Sequence, residues 1–311
     1  MNEKILVVGS ANMDLSLNVY RTPQLGETLI DDGGVAYIPG GRGANAAIAF
    51  TRLGAETTLC AKLGADVHGQ QLYKFYREEG LDTSAIKVDR DLSTGFSAVI
   101  KESDGQNRTI YYPGANMHIT TESIVSAFDV QPSVLYTSFE VSFQTALAAA
   151  RVAAQRGVPI VIDAAAADKS FSLEALPFVE IFSPNETEAQ ELTGIMPTGA
   201  DSSLRAALAI WRRMKCKYVV IKQGARGVSI YDGKRFDMVP ACRPDKVVDT
   251  ATAGDTFTTA MTLEYMRTGD IKSAARYGAA AAALAISRPG ASSSIPTADE
   301  VQRFMALRGF N

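Results

Sequence analysis

The segment 249–255 (DTATAGD) places small residues and a carboxylate just before a predicted helix, 256–267. Small residues leave the first N–H groups of a helix free to face an anion, and the helix dipole adds to the attraction. Asp255 would lie beside a bound phosphate, where its carboxylate could take the proton of an attacking hydroxyl during phosphoryl transfer. Asp is also among the best helix N-caps, so capping without any substrate is the alternative interpretation.

The glycine-rich segment 40–45 (GGRGAN) leads into another predicted helix, 45–53. A dinucleotide-binding fingerprint should follow a strand directly, but Pro39 stands in that position. Such a fingerprint also needs an acidic residue at the end of the next strand, and here that strand ends in Lys62 and Leu63. Those absences disfavour a Rossmann dehydrogenase. The glycines would instead let the backbone approach a small polar ligand, with hydrogen bonds from Arg42 and Asn45 that suit hydroxyl groups. A turn with a helix N-cap is the alternative.

Three further groups follow predicted strands. Asn185 and Glu188 are three residues apart at the start of a short predicted helix, so they could hold Mg²⁺ through waters or simply form a helix cap. The segment 222–227 (KQGARG) could touch the phosphates or base of a nucleotide, or be an ordinary hairpin turn. Glu140 could accept sugar hydroxyls. Because the sequence has no GxxxxGK[ST] motif, a P-loop is excluded as the phosphate-binding element.

The composition excludes several classes of function. Lys and Arg number 31 against 34 for Asp and Glu, a net charge of −3, so there is no basic surplus for nucleic acid. Three widely spaced cysteines and two histidines argue against disulfides, zinc sites and a Ser-His-Asp centre. The N-terminal apolar run is too short for a signal peptide or membrane span. We expect a cytoplasmic protein without membrane or nucleic-acid partners, which works with carboxylates and backbone dipoles.

Short apolar runs alternate with longer helical ones along the chain. Predicted strands cover 5–9, 57–63, 134–137, 160–163, 181–183 and 218–222, and predicted helices cover 45–53, 70–79, 143–155, 186–192, 204–214, 256–267 and 271–287. This alternation predicts an α/β fold, a doubly wound and mostly parallel sheet with helices on both faces and sites at the carboxyl ends of its strands. At 311 residues, we expect a single domain over 1–311.

Two regions, approximately 14–37 and 94–112, interrupt the alternation because neither carries a helical pattern. In the second, Phe96, Ala98 and Ile100 alternate with polar residues, and a turn at Asp104 and Gly105 predicts a hairpin. Short strands inserted twice would form a small β-sheet over the strand ends. Such a sheet would serve as a lid or as a dimer contact.

In order and spacing, these segments resemble the ribokinase family of carbohydrate kinases over nearly the whole chain. The resemblance rests on a pattern from Gly40 through Asn45 to Gly54 and Gly64, on 249–255, and on the segments 9–14, 184–188 and 224–227. It implies a ribokinase-like fold with a β lid and a homodimer through that lid. It also implies ATP, Mg²⁺ and a monovalent cation such as K⁺, with transfer of the γ-phosphoryl group to a primary hydroxyl of a pentose, D-ribose giving ribose 5-phosphate.

The resemblance also implies roles for individual residues. Asp255 matches the general base, and the anion hole is matched by Thr252, Ala253 and Gly254. Positions that bind the sugar, together with Asp255, are Asp14, Gly40, Gly41, Arg42, Asn45 and Glu140. Nucleotide and magnesium contacts are Asn185, Glu188, Lys222, Gly224, Ala225, Arg226 and Gly227. The loop for the monovalent cation is matched by Asp249, Ala251, Ala285, Arg288, Gly290 and Ser294.

Four residues depart from the family pattern. Arg42 stands where ribokinases usually carry Lys, and its rigid guanidinium fork is not equivalent to an ammonium. Thr252 and Thr259 occupy positions where very small residues are expected, so Thr252 would either add a hydroxyl contact or crowd the phosphate. Lys222 stands where ribokinases have Thr, and its cation could reach the nucleotide phosphates. Another pentose or deoxyribose, a ketohexose such as fructose, and a nucleoside therefore stay open as substrates, and a non-catalytic sugar or nucleotide sensor stays open as a second class.

Overall fold

The computed structural model describes residues 3–31, 33–103 and 107–308. Its strands are β1 (Lys4–Val8), β2 (Asn12–Val19), β3 (Val35–Gly40), β4 (Glu56–Cys60), β5 (Lys62–Gly64), β6 (Lys87–Asp89), β7 (Gly95–Glu102), β8 (Asn107–Tyr112), β9 (Val134–Ser138), β10 (Ile160–Asp163), β11 (Val179–Ser183), β12 (Cys216–Lys222), β13 (Val228–Tyr231) and β14 (Phe236–Val239). Its α-helices are α1 (Arg42–Arg52), α2 (Val67–Glu78), α3 (Thr121–Ala127), α4 (Phe143–Gln155), α5 (Glu186–Thr193), α6 (Ala200–Arg213), α7 (Ala253–Thr268), α8 (Ile271–Ile286) and α9 (Ala298–Leu307).

The main sheet has eight strands in the order β14-β13-β12-β11-β10-β9-β1-β4. Strands from β12 to β4 run parallel, and β13 and β14 continue the sheet antiparallel. Both faces are apolar. In β1, Ile5 and Val7 pack into one core cluster while Leu6 and Val8 pack into the other. The predicted doubly wound α/β fold is confirmed, because helices that cover both faces explain these uninterrupted apolar strands.

The order of the strands reverses between β1 and β9. The chain leaves β1 toward β4 on one side, and later leaves β9 toward β10, β11 and β12 on the other. In doubly wound sheets a crevice forms outside the carboxyl ends of the strands at such a point. The residues that follow β1 and β9, including Ser10 and Glu140, therefore meet at this crevice.

A second sheet has four strands in the order β3-β2-β7-β8. It joins the two regions that the sequence sets apart, and β2 pairs with β7 in parallel although they are far apart in the chain. The hairpin pairs β7 with β8, from Phe96 opposite Tyr112 to Lys101 opposite Asn107, whereas the predicted turn at Asp104 and Gly105 lies outside the described residues. The pairing places Asp14, Ser97 and Tyr111 on one face of this small sheet.

Several predicted boundaries differ from the structure. The prediction of one strand over 57–63 is wrong, because the strand breaks at Ala61 and β5 pairs instead with β6, where Lys62 and Asp89 form an ion pair at 2.8 Å. Helix α1 begins at Arg42 and helix α7 at Ala253, each three residues before the prediction. Among the residues described, no helix has the length and apolar character needed to cross a membrane.

Candidate active site

Asp255 lies in the first turn of α7 with 1% of its surface exposed. The interpretation of Asp255 as an N-cap is wrong, because Thr252 occupies the cap position and Asp255 is the third residue of the helix. Its Oδ1 accepts a hydrogen bond from Nη1 of Arg42 at 2.9 Å, and its Oδ2 accepts one from Nδ2 of Asn45 at 3.4 Å. Burial raises the pKa of Asp255 above its usual range, and the charge of Arg42 opposes that rise. The carboxylate therefore faces the two α1 residues that the sequence predicts for the same site.

Glycines bring the start of α1 against the end of β1. Gly41 has φ +95°, and a Cβ there would lie 2.9 Å from the main-chain oxygen of Ser10. A Cβ on Gly43 would lie 2.5 Å from Cα of Gly9, so only glycines permit this approach. As a result, the main-chain N–H of Arg42 donates to Oε2 of Glu140 at 2.8 Å. Arg42 thus joins Glu140, after β9, to Asp255 on α7.

Oε2 of Glu140 accepts two further hydrogen bonds, one from Oγ of Ser10 and one from Nδ2 of Asn12 at 3.5 Å. Tyr111, from the small sheet, donates its hydroxyl to the carbonyl of Glu140 at 3.3 Å. The sequence prediction included Glu140 but missed Ser10, Asn12 and Tyr111. The segment 9–14 was the only available signal for the first two.

Asp14 reaches the site from the small sheet. Its Oδ1 is buried without a hydrogen-bond partner among the described residues, as is Oδ1 of Asn45. Burial raises the pKa of Asp14 to about 6, and the nearby charge of Glu140 adds to the rise while a hydrogen bond with Ser97 opposes it. Buried acceptors without partners are rare in folded proteins, and a ligand with several hydroxyl groups would satisfy both of them.

Two cations flank the first turn of α7. A Cβ built on Gly254 would lie 3.8 Å from Nη1 of Arg42 and 3.9 Å from Nζ of Lys222. The N–H groups of Gly254 and Asp255 have no carbonyl partner within the helix, so they add donors to the two positive charges. The N–H of Ala253 instead donates to the carbonyl of Thr250 at 3.2 Å. The predicted anion hole of Thr252, Ala253 and Gly254 therefore has a guanidinium and an ammonium close to Gly254.

Both unexpected threonines are accommodated without a hydroxyl directed at the anion hole. The hydroxyl of Thr252 lies 3.0 Å from that of Ser294. The hydroxyl of Thr259 donates to the carbonyl of Asp255 at 2.8 Å, within α7 itself. The alternative in which Thr252 adds a contact to the phosphate stays a prediction, and the partner that the structure gives its hydroxyl is Ser294.

Asp163 and Thr258 are site residues that the sequence analysis missed. Asp163 ends β10, and its Oδ2 accepts hydrogen bonds from Lys222 Nζ and, at 2.8 Å, from Thr258 Oγ1. Its position at the carboxyl end of a predicted strand was the one available signal. Recognising Asp163 also required knowing that the strand of Lys222, which lies 59 residues further along the chain, ends at the same edge of the main sheet.

Asn185 and Glu188 form a capping box at the start of α5, as the alternative interpretation held. The main-chain N–H of Asn185 donates to Oε2 of Glu188 at 2.7 Å, and its Nδ2 donates to Oε1 at 2.9 Å. Burial raises the pKa of Glu188, while the positive charge of Lys222 opposes the rise. The box therefore lies beside Lys222, with carboxylate and amide oxygens suited to the water shell of Mg²⁺.

The turn 224–227 follows β12 next to this box. Gly227 has φ +89°, and a Cβ there would lie 2.0 Å from the carbonyl oxygen of Val239, so this position requires glycine. Arg226 pairs with Glu186 and donates to the carbonyl of Pro197 at 3.1 Å. The side chain of Arg226 is thus held along α5, and Gly224 and Ala225 form the outer part of the turn.

The residues of the predicted cation loop also converge. The main-chain N–H groups of Val248 and Asp249 both donate to the carbonyl of Ile286, at 2.7 and 3.3 Å, which joins 249–253 to the end of α8 near Ala285. Ser294 contacts Thr252 across the same gap, and Gly290, at φ +100°, makes the turn between them. The side chain of Arg288 is paired with Glu300 at 2.7 Å, so Arg288, like Ala251, has only its carbonyl to offer.

These contacts define an enzyme that transfers a phosphoryl group to a hydroxyl: a buried carboxylate is set beside an anion-binding helix terminus and opposite unpaired acceptors for a polyol. The class of protein is a carbohydrate kinase. The chain belongs to the family described as pfkB family carbohydrate kinase, whose sequence profile matches residues 2–298.

Named relatives agree with this assignment. The chain is 32% identical to the ribokinase of Staphylococcus aureus (strain COL) over 306 residues, 97% of this chain and 100% of the relative. It is 32% identical to the ribokinase of Haemophilus influenzae over 310 residues, 98% of this chain and 99% of the relative. The structure of Arabidopsis thaliana ribokinase complexed with ribose and ATP superimposes with a TM-score of 0.86 at 27% identity, covering 98% of this chain and 99% of the other.

Proposed function

We propose that the protein transfers the γ-phosphoryl group of ATP to the primary hydroxyl of a pentose, with D-ribose as the first candidate and ribose 5-phosphate as the product. The observation that carries the proposal is Asp255, buried at the first turn of α7 and hydrogen-bonded by Arg42 and Asn45. Asp14 and Asn45 offer unpaired oxygens to the remaining sugar hydroxyls. The two ribokinase relatives and the structure with ribose and ATP support the same substrate pair.

The mechanism follows from these positions. The sugar hydroxyl displaces Arg42 or Asn45 from one oxygen of Asp255 and gives that carboxylate its proton as it attacks the γ-phosphorus. The new bond joins the sugar oxygen to phosphorus, the bond to the bridging oxygen of ADP breaks, and ADP leaves. The amide of Gly254 and the charge of Arg42 offset the negative charge of the moving group.

Two kinds of cation belong to the proposal. Asn185 and Glu188 would hold the water shell of Mg²⁺, which offsets phosphate charge when it is bound. A monovalent cation such as K⁺ would be held by the carboxylate of Asp249, the hydroxyl of Ser294 and the carbonyls of Ala251, Ala285, Arg288 and Gly290. The contacts of Val248 and Asp249 with Ile286, and of Thr252 with Ser294, support this proposal because they connect the segments that carry these oxygens.

The small sheet would act as the lid that excludes water from the reaction, so that residues 1–311 form one catalytic unit. The face of that sheet opposite Asp14 carries an apolar row of Tyr37, Leu15, Ala98 and Ile110. Tyr37 is 58% exposed and Ile110 is 70% exposed. We propose that this face joins two copies of the chain in a homodimer. Ile110→Asp should convert a dimeric mass in light scattering to a monomeric one, and a wild-type monomer would contradict the dimer.

The proposed enzyme works in the cytoplasm, where ATP is present. The three cysteines of the described residues are free and buried, which is compatible with a reducing compartment.

The decisive experiment measures ADP formation with ribose, deoxyribose, fructose and nucleosides as acceptors. Ribose should give the highest kcat/KM, whereas a preference for another acceptor would replace ribose within the same chemistry. Asp255→Asn should reduce kcat by about 10²- to 10⁴-fold, while the sugar still binds in calorimetry. Sugar and nucleotide binding without ADP release by the wild type would favour the sensor, and near-normal turnover of Asp255→Asn would remove Asp255 from the role of base.

A further inference from the structure

Lys222 is held unusually firmly for a lysine. It ends β12 with 11% of its side chain exposed, and its Nζ contacts Oδ2 of Asp163 and lies 3.3 Å from Oγ1 of Thr258. Asp163 is itself fixed, because its Oδ1 accepts the main-chain N–H of Ala165 at 3.0 Å and its Oδ2 accepts the hydroxyl of Thr258. A free lysine has a flexible stem and many rotamers, whereas these contacts restrict the ammonium to one place.

That place is the edge of the anion hole. The distance of 3.9 Å from Nζ to a Cβ built on Gly254 puts the ammonium beside the first turn of α7, where Nη1 of Arg42 lies 3.8 Å from the same point. Lys222 also lies next to Asn185, to which it is joined by a single parallel bridge. The ammonium is therefore located between the anion hole and the capping box of Asn185 and Glu188.

One N–H donor of the Lys222 ammonium is left after its contacts with Asp163 and Thr258. A protonated lysine has three N–H donors, and Asp163 and Thr258 receive two of them. Among the described residues no acceptor for the third is found, so it is left for a ligand near Gly254. A buried Lys–Asp pair by itself adds little to the stability of a fold, because the desolvation of both charges offsets their attraction. The pair is better explained by the anion it faces.

We propose, on the basis of the phosphotransfer function above, that Lys222 donates its third hydrogen bond to the γ-phosphoryl group as that group moves from ADP to the sugar. Asp163, assisted by Thr258, is the positioning residue that holds the ammonium there. The proton of the sugar hydroxyl goes to Asp255. Arg42 and Lys222 thus both hold the transferred group, and the second cation takes the position where ribokinases carry Thr.

The experiment compares Lys222→Met with Lys217→Met, a matched control on the same strand. Lys217 is also paired with a carboxylate, that of Glu180 at 2.8 Å, but at the opposite end of β12. Lys222→Met should lower kcat by about 10²- to 10³-fold with little change in the KM of the sugar, which is the loss typical of one charge-stabilising donor. Lys217→Met should leave kcat unchanged.

Asp163→Asn tests the positioning role. It should lower kcat by about tenfold, and Asp163→Asn combined with Lys222→Met should be no slower than Lys222→Met alone, because Asp163 acts through the lysine. The double variant also removes the unpaired buried carboxylate that could destabilise Lys222→Met, so activity can be compared in a folded protein. Equal and independent losses in the two single variants would overturn the positioning role.

Nucleotide binding gives a readout that does not depend on turnover. Lys222→Met should weaken binding of the ATP analogue AMP-PNP in calorimetry and leave the Kd of ADP within about twofold, because the contact is to the third phosphate. Equal weakening of both nucleotides, or a kcat within threefold of wild type in the double variant, would overturn the proposal. A wild type that phosphorylates no acceptor would instead overturn the proposed function, and the comparison of AMP-PNP with ADP would still decide what Lys222 contacts.

Discussion

Replacing Arg42 by Met should move the acidic limb of the pH–rate profile to higher pH. Asp255 acts as a base only when it is ionised, and the positive charge of Arg42 favours that form. Burial raises the pKa of the Asp255 carboxyl, so removal of the opposing charge raises the pKa further. Activity lost on acidification would then be lost at a higher pH than in the wild type.

The size of the shift can be bounded from the contact distance. At 2.9 Å between Nη1 and Oδ1, two unit charges attract by about 6 kcal/mol at an effective dielectric constant of about 20 and by about 1.4 kcal/mol in water. The side chain of Arg42 is 35% exposed, so solvent screens the pair and the lower part of this range applies. We expect a shift of about 1 to 3 pH units, the usual effect of an adjacent guanidinium on a carboxylate.

The assay is single-turnover phosphoryl transfer from pH 5 to 9, which removes product release from the measured rate. Arg42 also faces the anion hole, so the plateau rate of the Arg42→Met profile should fall as well. The quantity that tests the electrostatic role is therefore the pH at which the acidic limb lies, and not the height of the plateau. Arg42→Lys is the matched control, because it keeps the charge and should keep the limb near that of the wild type. A limb in Arg42→Met that coincides with the wild type, or lies below it, would refute the electrostatic role assigned to Arg42.

Three more predictions concern the sugar and cation sites. Because the pKa of Asp14 is raised to about 6, the KM of the sugar should rise as the pH falls below about 6, and Asp14→Asn should bind sugar poorly without that pH dependence. The raised pKa also means that ionisation of Asp14 destabilises the folded state. In urea unfolding, the free energy of unfolding of Asp14→Asn should therefore exceed that of the wild type by up to about 3 kcal/mol at pH 8, and the two should not differ below about pH 4. Gly40→Ala puts a Cβ 2.0 Å from Oδ2 of Asp14 and should raise the KM of the sugar more than tenfold, whereas Gly199→Ala, with no atom within 4 Å, should behave as wild type in the same assay. Ser294→Ala should raise the K⁺ concentration needed for half-maximal activity in tetramethylammonium buffer. Replacement of its exposed neighbour, Ser293→Ala, should not change that concentration. Equal K⁺ dependence in the two variants would count against the proposed cation loop.

The fold could be predicted from the sequence because its main signal is local. Runs such as Ile5–Val8 are apolar on both faces, and that pattern requires helices on each side of a parallel sheet. The break at Ala61 could not be predicted, because the residues after it stay compatible with a strand and only the pairing of Lys62 with Lys87, across the chain, redirects them.

The site was predictable where residues cluster in the sequence and unpredictable where distant residues meet. The start of α7 was placed too late because Thr252, Ala253 and Gly254 include poor helix formers, and contacts of Asp255 with Arg42 and Asn45 override that preference. Asp163 carries no motif of its own. Its importance depends on Lys222, and nothing in the sequence near either residue indicates that they touch.

The parallel pairing of β2 with β7 has a consequence for the order of events. Asp14 lies in the small sheet, while Asp255 lies on α7 beside the main sheet, so an acceptor sugar that contacts both would connect the two sheets. In the proposed reaction, a sugar that contacts both carboxylates draws the small sheet down, and its own binding energy drives the closure. Under this proposal the acceptor itself completes the enclosure in which it is phosphorylated, so hydrolysis of ATP should be slow when no sugar is bound.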